Sequence, residues 1–383
     1  MDKPTVQDIF HRFYPAYLDQ YSPSPVQAKV AHNIMNCKTG AYGANVCVCE
    51  DCGFVQIHYN SCRNRCCPMC QAVPKEMWMD ARREDVLDAP YFHLVFTVPD
   101  ILNPVIYSNQ RLLYDALYHA ASSTISELTA DPKHLGAKVG YICILHTWGS
   151  EMNFHPHIHT VLLGGGLASN NQWRDNGENF FLPIRVISKV FRGKYLEELK
   201  RLWEEDKLVF HGTAEKFRNH YTFKELLDSC YGMDWIPHCK KTFNGAQTVM
   251  KYLGKYTHRI AVSNHRIVRM DDDTVTFLVK DYRNEGQWKE LTISGVEFVR
   301  RFLMHVPPRR FVRIRHYGLL CSRTKSQKLT LCRNLLGCKK YLSKLRDMEM
   351  PEILEHLYGI KVCVCKACGG HLGKPQMRMP LRC

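Results

Sequence analysis

The chain has 383 residues, 45% of them hydrophobic and 23% charged, which is typical of a soluble protein with two or three domains. No run of 18 apolar residues occurs and the N-terminus lacks the apolar stretch of a signal peptide. These features exclude a spanning helix, predict no membrane partner and favour the cytosol. The 52 basic and 37 acidic side chains leave a net charge of +15, which favours a polyanion such as nucleic acid.

Apolar periodicity predicts the elements along the chain. Residues 10–18 have the spacing of an amphipathic helix, and Pro23 and Pro25 then separate this helix from a cysteine-rich segment. An antiparallel pair of strands is predicted at residues 138–148 and 157–163. The other predicted elements are strands at 91–98 and 235–243, helices at 104–128, 188–208 and 245–258, and a hairpin of 275–279 with 290–293. This order predicts an α+β fold with an antiparallel sheet, in units at 1–80, 88–298 and 299–383.

Eighteen cysteines in a cytosolic chain indicate metal binding rather than disulfides, because the reducing cytosol keeps thiols free. Eight of them lie within 34 residues. Cys49 and Cys52 are separated by two residues, and after fourteen more residues Cys67 and Cys70 repeat this spacing, which is typical of tetrahedral zinc. Cys62 and Cys66 are alternatives to one of these pairs. They are also able to bind a second ion with Cys37, Cys47 or His58.

A short repeat indicates a smaller knuckle at the C-terminus. Residues 46–53 and 362–369 share the pattern Val-Cys-Val-Cys-x-x-Cys-Gly. Cys365 and Cys368 have the spacing of half a zinc site. The other ligands stay open, with Cys363, His371 and Cys383 as alternatives.

The histidines at 155–159, in the sequence His-Pro-His-Ile-His, begin an apolar strand. Alternate residues of a strand face the same side, so His157 and His159 present two imidazoles to one metal ion. We expect His146 on the partner strand as the third ligand, ahead of His155, Glu151 and Gln247. The alternative is a pair of hydrogen-bonded surface histidines at a strand end.

Tyr252 and Tyr256 lie four residues apart on the predicted helix at 245–258 and so share one face. Two aromatics at this spacing are usually part of a core, but cationic residues surround this pair. A tyrosine hydroxyl beside a divalent metal and a basic groove is a suitable nucleophile on phosphorus. The predicted DNA-binding residues around it are Lys251, Lys255 and Arg259.

The basic excess is concentrated near the C-terminus, where residues 300–346 contain fourteen Lys or Arg and no Asp or Glu. Phosphate neutralisation with base stacking binds single-stranded DNA, so this stretch is predicted to line the strand path. The alternative is a solvated basic face whose aromatic residues belong to the core. The cations assigned to the path are Arg309, Arg310, Arg313 and Arg315, and the interleaved aromatics are Phe302, Phe311, Tyr317 and Tyr341.

In these motifs the sequence resembles the two-tyrosine insertion-sequence transposases of the HUH nuclease superfamily, which carry an N-terminal zinc-binding domain. Cys66 is a departure, because the family usually has histidine there. The matching segments occur in the family's order and span most of the chain: 59–71, 91–99, 146–149, 155–159, 252–259 and 313–320.

The resemblance implies an enzyme that nicks and joins single-stranded DNA at the ends of an element and is associated with a bacterial nucleoid. It implies an antiparallel sheet with the histidine strand at its centre, Mg²⁺ or Mn²⁺ at the histidines and structural Zn²⁺ at the cysteines. Tyr252 or Tyr256 would attack phosphorus to give a 5′-phosphotyrosine link, without a nucleotide cofactor. Which tyrosine attacks first, the recognised DNA and the oligomeric state stay open.

Three other functional classes are alternatives to a transposase. A replication initiator of the same superfamily would use the same chemistry. A zinc-ribbon regulator without catalysis would explain the cysteines and the basic stretch, but not the histidine and tyrosine pairs. A metal-dependent hydrolase would need more carboxylates near the metal than Glu151 and Asp234 provide.

Overall fold

The structure is a computed structural model that describes residues 3–176, 182–235, 238–243, 249, 254, 260–281 and 286–378. Within these described residues, helices surround three antiparallel sheets, which confirms the predicted α+β class. None of the helices described has the length and apolar character that crossing a membrane requires. The helices are α1 (Val6–Leu18), α2 (Pro25–Met35), α3 (Ala72–Arg83), α4 (Asn103–Ser108), α5 (Gln110–Ala130), α6 (Ile184–Glu204), α7 (His220–Gly232), α8 (Gly295–Met304), α9 (Lys325–Leu336) and α10 (Met350–Tyr358). The strands are β1 (Ala44–Val48), β2 (Val55–Tyr59), β3 (Tyr91–Thr97), β4 (Lys138–Trp148), β5 (Phe154–Leu167), β6 (Trp173–Asp175), β7 (His238–Phe243), β8 (Ile267–Met270), β9 (Thr274–Asp281), β10 (Gln287–Ser294), β11 (Ile314–Gly318) and β12 (Gln376–Arg378).

The largest sheet has the order β11-β4-β5-β3-β7, with β6 also paired to β5. β4 and β5 are long, nearly continuous apolar strands, as expected for strands that are covered on both faces. On one face, Leu145 and Ile158 join the main core with apolar residues of α5 and α6. On the other face, Ile144 and Val161 pack with residues of α9. The histidine strand therefore lies near the centre of the sheet.

The N-terminal helices pack against a second sheet, of order β10-β9-β8. α1 begins at a capping box in which the side chains of Thr5 and Asp8 each accept a backbone N–H of the other residue. Phe10 of α1 contacts Phe302 of α8 edge to face, with 5.2 Å between the ring centroids. The apolar sides of α1, α2 and α8 share one core with this sheet.

The third sheet joins the two ends of the chain. β12 pairs antiparallel with β1, and β1 pairs with β2. Ala44 lies opposite Arg378, and Val46 lies opposite Gln376. Contacts therefore cross the predicted boundaries at 80 and 298, and the domain division itself stays a prediction.

Most predicted elements that fall on described residues have the observed type, but one differs. The helix predicted at 104–128 is divided at Asn109, whose side-chain amide donates to the backbone oxygens of Val105 and Val209 at 2.9 and 2.7 Å. These bonds fix a non-helical backbone at this residue. The helix predicted at 245–258 lies outside the described residues, apart from Val249 and Gly254.

Candidate functional site

Three histidines converge on one face of the central sheet. The register of β4 and β5 places His146 directly opposite His157, and His159 follows two residues later on the same face. One ring nitrogen of each histidine lies within 4.8 Å of the others. The Nε2 atoms of His157 and His159 are 3.1 Å apart. All three side chains are buried, so the site is shielded from bulk water.

Burial keeps the imidazoles of His157 and His159 neutral. It lowers the pKa of His157 to about 4 and lowers the pKa of His159 well below its usual range. The Nδ1–H of His157 donates to the backbone oxygen of His155 at 2.7 Å. A neutral ring that donates through Nδ1 has a lone pair on Nε2. His157 therefore presents an unprotonated nitrogen to the centre of the group.

A fourth histidine, which the sequence analysis missed, supports the group from β3. The side chain of His93 is buried, and its Nε2 lies 3.0 Å from the Nδ1 of His159. The two rings stack with 5.2 Å between their centroids. The sequence feature that points to His93 is the alternation along the strand at 91–98. This alternation places residues 93, 95 and 97 on the histidine face once β3 pairs with β5.

The environment of His146 links the group to the basic stretch. Its ring stacks on Trp148 with centroids 4.3 Å apart. The guanidinium of Arg313 lies 5.6 Å from the centroid of the Trp148 ring. Burial lowers the pKa of Arg313, although an arginine still keeps its charge at neutral pH. One of the four arginines predicted for DNA binding is therefore close to the histidines.

The alternative third ligands lie elsewhere. The imidazole of His155 faces Asp100, with Nδ1 3.3 Å from a carboxylate oxygen. Glu151 is exposed, near Lys289. Gln247 lies outside the described residues. No carboxylate of the described part of the chain joins the histidine group.

The cysteines of the described residues form two groups of four, and their members differ from the quartet predicted from spacing. The first group contains Cys37, Cys62, Cys67 and Cys70, and the Sγ atoms of Cys62 and Cys70 are 3.8 Å apart. The spacing prediction combined Cys67 and Cys70 with Cys49 and Cys52, and this combination is corrected. The loop at 62–70 folds back against the end of α2, and this contact brings Cys37 to the group instead.

The second group joins the two ends of the chain. Cys49 and Cys52, after β1, meet Cys365 and Cys368 of the C-terminal knuckle. Cys66, another predicted zinc residue, belongs to neither group. Its thiol is buried near Arg65 and Arg313, and burial raises its pKa.

Comparisons with known proteins identify the family. Residues 140–328 match a family model described as "Putative transposase", and residues 9–98 match one described as "Transposase zinc-binding domain". The chain is 40% identical to the "Putative transposase y4qJ" of Sinorhizobium fredii, over 95% of this chain and 93% of that protein. The chain belongs to the insertion-sequence transposases. It is also 30% identical to the "Transposase for insertion sequence element IS801" of Pseudomonas savastanoi, over 79% of this chain and 72% of the relative.

The matched regions confirm the resemblance to the two-tyrosine transposases with an N-terminal zinc-binding domain. As a member of this family, the transposase acts on DNA. Among solved structures, the conjugative relaxase TrwC in complex with oriT DNA is similar over 47% of this chain and 67% of the relaxase. The sequence identity is 16% and the TM-score 0.25, a level at which the likeness carries no conclusion about the transposase.

The predicted nucleophiles Tyr252 and Tyr256 lie outside the described residues, as do Lys251, Lys255 and Arg259. Two described residues close to the tyrosines in the sequence pack near the histidine face of the sheet. Val249 is buried against the histidine face of the sheet, in a cluster with Ile142 and Val161. Gly254 lies against α3, so closely that an added Cβ would be 2.1 Å from the Sδ of Met79.

The basic stretch divides into exposed and paired cations. Arg309 and Arg310 are exposed. Arg315 pairs with Asp115 of α5, and its guanidinium lies 4.0 Å from the centroid of the Tyr118 ring. Arg315 thus lies on the sheet face opposite the histidines, because it pairs with Cys143 while Ile314 pairs with Ile144.

The interleaved aromatics do not form the stacking platform proposed for this stretch. Phe302 and Phe311 are buried in the cores. Tyr317 stacks on Tyr141, and the hydroxyl of Tyr341 donates to Asp80 at 2.6 Å. Phe302 and Phe311 therefore belong to the core, as in the alternative, whereas Tyr317 and Tyr341 are half-buried and have partners within the protein.

Proposed function

We propose that the transposase nicks and rejoins single-stranded DNA at the ends of its element, through a 5′-phosphotyrosine intermediate formed by Tyr252 or Tyr256. In this proposal His146, His157 and His159 hold Mg²⁺ or Mn²⁺ beside the scissile phosphate. The observation that carries the proposal is the group of three buried histidines on adjacent strands, of which His157 and His159 are neutral.

The geometry of the group suits a divalent cation. Two lone pairs that face each other across a short gap repel unless a cation or a proton lies between them. Neighbouring ligands of an octahedral ion with bonds of about 2.1 Å lie about 3 Å apart, and the Nε2 atoms of His157 and His159 are 3.1 Å apart. Three ligands leave the other positions of the ion free for water and a phosphate oxygen. When bound, the ion polarises the phosphate and stabilises its developing charge.

The absence of carboxylates from the histidine group in the described residues argues against the alternative hydrolase. Phosphoryl transfer to a tyrosine needs charge stabilisation and positioning, but no activated water. The attacking oxygen of the tyrosine forms a bond to phosphorus and loses its proton. The bond from phosphorus to the 3′ oxygen breaks, and that oxygen takes up a proton as a free 3′-hydroxyl. The number of phosphoester bonds is unchanged, so the reverse step joins strands without a nucleotide cofactor.

The proposed role of the tyrosines is supported by two described residues that are close to them in the sequence. Tyr252 lies between Val249 and Gly254, and both of these residues pack on the side of the sheet that carries the histidines. The packing of these two flanking residues supports the proposed role of Tyr252. The exposed cations Arg309 and Arg310 and the predicted residues Lys251, Lys255 and Arg259 would bind the strand through its phosphates.

The first cysteine group is proposed to hold a structural Zn²⁺ ion. Its four members, Cys37, Cys62, Cys67 and Cys70, lie in the region that matches the transposase zinc-binding domain. Sulfur atoms around tetrahedral zinc are about 3.8 Å apart, because each bond is about 2.3 Å long, and Cys62 and Cys70 show this separation. Arg65, within the same loop, donates to the backbone oxygen of Phe311 at 2.6 Å and so ties this domain to the basic stretch.

The test uses purified transposase and a labelled single-stranded oligonucleotide that contains one end of the element. We expect a covalent protein–DNA adduct that requires Mg²⁺ or Mn²⁺ and is lost when Tyr252→Phe and Tyr256→Phe are combined. Tyr221→Phe is the matched control, because this exposed tyrosine lies on α7. An adduct that persists in the double variant, or that forms fully in chelator, would refute the proposed chemistry.

A further inference from the structure

The two copies of the sequence repeat, from opposite ends of the chain, lie together in the structure. Cys49, Cys52, Cys365 and Cys368 have all their Sγ atoms within 4.8 Å of one another, although Cys49 and Cys368 are 319 positions apart in sequence. The Cys49 and Cys368 sulfurs are separated by 3.5 Å, and those of Cys52 and Cys365 by 3.8 Å. These values are close to the sulfur separation of about 3.8 Å around tetrahedral zinc.

The two halves of the group have the same backbone conformation. The N–H of Gly53 donates to the backbone oxygen of Cys49 at 3.1 Å, and the N–H of Gly369 donates to that of Cys365 at 3.0 Å. Both glycines have left-handed backbones, with φ of 71° and 77°. In the C-terminal half, backbone N–H groups also point at sulfur, from Ala367 to Cys365 and from Gly370 to Cys368. Paired knuckles of this kind are the building unit of zinc ribbons.

Backbone hydrogen bonds interlock the halves. The N–H of Glu50 donates to the oxygen of His371 at 3.0 Å, and the N–H of Gly373 donates to the oxygen of Val48 at 2.9 Å. β12 then continues the contact by pairing with β1. The four thiols are therefore held together by strand pairing, not by chance proximity of loops.

The hydrophobic core around the two paired cysteine knuckles is too small to stabilise their pairing by itself. Its cluster of buried residues has four members in the described chain, namely Cys47, Cys49, Cys365 and Leu372. The neighbouring strands leave Val48, Val55 and Ile57 about half exposed. Small units with so little core usually depend on disulfides or metal ions. The sulfur pairs, at 3.5 and 3.8 Å, are much farther apart than the bonded sulfurs of a disulfide, at about 2.05 Å, which leaves a metal ion as the stabilising element.

We infer that Cys49, Cys52, Cys365 and Cys368 bind one structural Zn²⁺ ion, which fastens the C-terminal segment of the transposase to its N-terminal zinc-binding domain. This site is separate from the group of Cys62 and Cys70 and does not depend on the proposed nicking chemistry. Its consequence is that the two ends of the chain form one unit, which closes the chain over more than 300 residues.

The test is the zinc content of the full-length protein, measured by native mass spectrometry and elemental analysis. Wild type should contain two zinc ions, one for each cysteine group. Cys49→Ser with Cys52→Ser, Cys365→Ser with Cys368→Ser, and the combination of all four should each contain one, because all remove the same ion. A quadruple variant without zinc would overturn the inference, since two independent sites would then have been lost. Iron in place of zinc would overturn it as well.

Cys363→Ser is the matched control, because this exposed cysteine lies two residues from Cys365 but outside the group. It should retain both ions. Loss of an ion in this variant would assign the site to different ligands.

A second measurement on the wild-type protein covers the case in which a variant fails to fold. Cys52, Cys368, Cys363 and Cys321 are all exposed. N-ethylmaleimide should label Cys363 and Cys321 at once, but label Cys52 and Cys368 only after a strong chelator removes zinc. Equal labelling of all four without chelator would contradict the shared site.

Discussion

The orientation of His159 depends on His93. If a metal ion occupies the centre of the histidine group, the Nε2 of His159 is a ligand and its Nδ1 carries the proton. The Nε2 of His93, 3.0 Å away, then accepts this proton as a hydrogen bond. Such partners fix the tautomer of a ligating imidazole and increase its basicity. His93 is thus a positioning residue in the proposed site, since it acts through His159.

Replacing His93 tests this role. His93→Ala should weaken Mn²⁺ binding by about 10- to 100-fold, because it leaves a buried N–H without an acceptor. His93→Gln should restore much of the affinity through its amide oxygen. Titration calorimetry with Mn²⁺ measures both. His119→Ala is the control, because this exposed histidine lies on α5, which packs on the opposite face of the sheet. Wild-type affinity in His93→Ala would show that the contact does not orient the ligand.

At the scale of elements, three consecutive glycines allow β5 to pass closely between its neighbours. A Cβ on Gly166 would lie 2.4 Å from the backbone oxygen of Lys138 in β4. A Cβ on Gly165 would lie 2.8 Å from the backbone oxygen of Arg174 in β6. Backbone atoms cannot move aside without disturbing the pairing. The glycines therefore allow the register that places His146 opposite His157.

Gly166→Ala should accordingly lower the free energy of unfolding by about 1–3 kcal/mol, the usual cost of overpacking. Gly193→Ala is the matched control, because Gly193 lies within α6 with nothing within 4 Å of an added Cβ. That change should stabilise the helix by about 0.5–1 kcal/mol. Chemical denaturation measures both variants. If Gly166→Ala were as stable as Gly193→Ala, the close approach would not constrain β5.

At the scale of the whole molecule, DNA affinity depends on how the charge is distributed. Arg315 faces Asp115 and Lys325 faces Asp85, so part of the basic stretch is neutralised within the protein. Arg309 and Arg310 are exposed. Each phosphate contact releases counterions, so binding weakens as the salt concentration rises. For single strands, each contact contributes about −0.7 to the slope of log binding constant against log salt concentration.

Arg309→Gln combined with Arg310→Gln should therefore reduce the salt slope of oligonucleotide binding by about 1.4. The control removes two other charges, with Lys200→Gln and Lys207→Gln. These exposed lysines already face glutamates, at the end of α6 and just after it. Fluorescence anisotropy over a range of salt concentrations measures the slope. Equal slopes for the two double variants would place the strand elsewhere on the molecule.

Several features of this transposase are determined by short stretches of sequence. Alternation along β5 places His157 and His159 on one side whatever the strand packs against. The apolar spacing of α1 and the patterns of β9 and β10 likewise specify their own elements, because periodicity and caps act within a few residues. The family resemblance also rests on such local motifs, and the comparisons confirm it.

Only the tertiary structure decided which distant residues meet. Spacing paired Cys49 and Cys52 with Cys67 and Cys70, but strand pairing brings Cys365 and Cys368 to the first pair from the other end of the chain. His93 reaches the histidine group through the register of β3 with β5, and Phe302 and Phe311 of the basic stretch are buried in the cores. Local sequence fixes the direction of a side chain, whereas its partners depend on long-range packing, which no short pattern encodes.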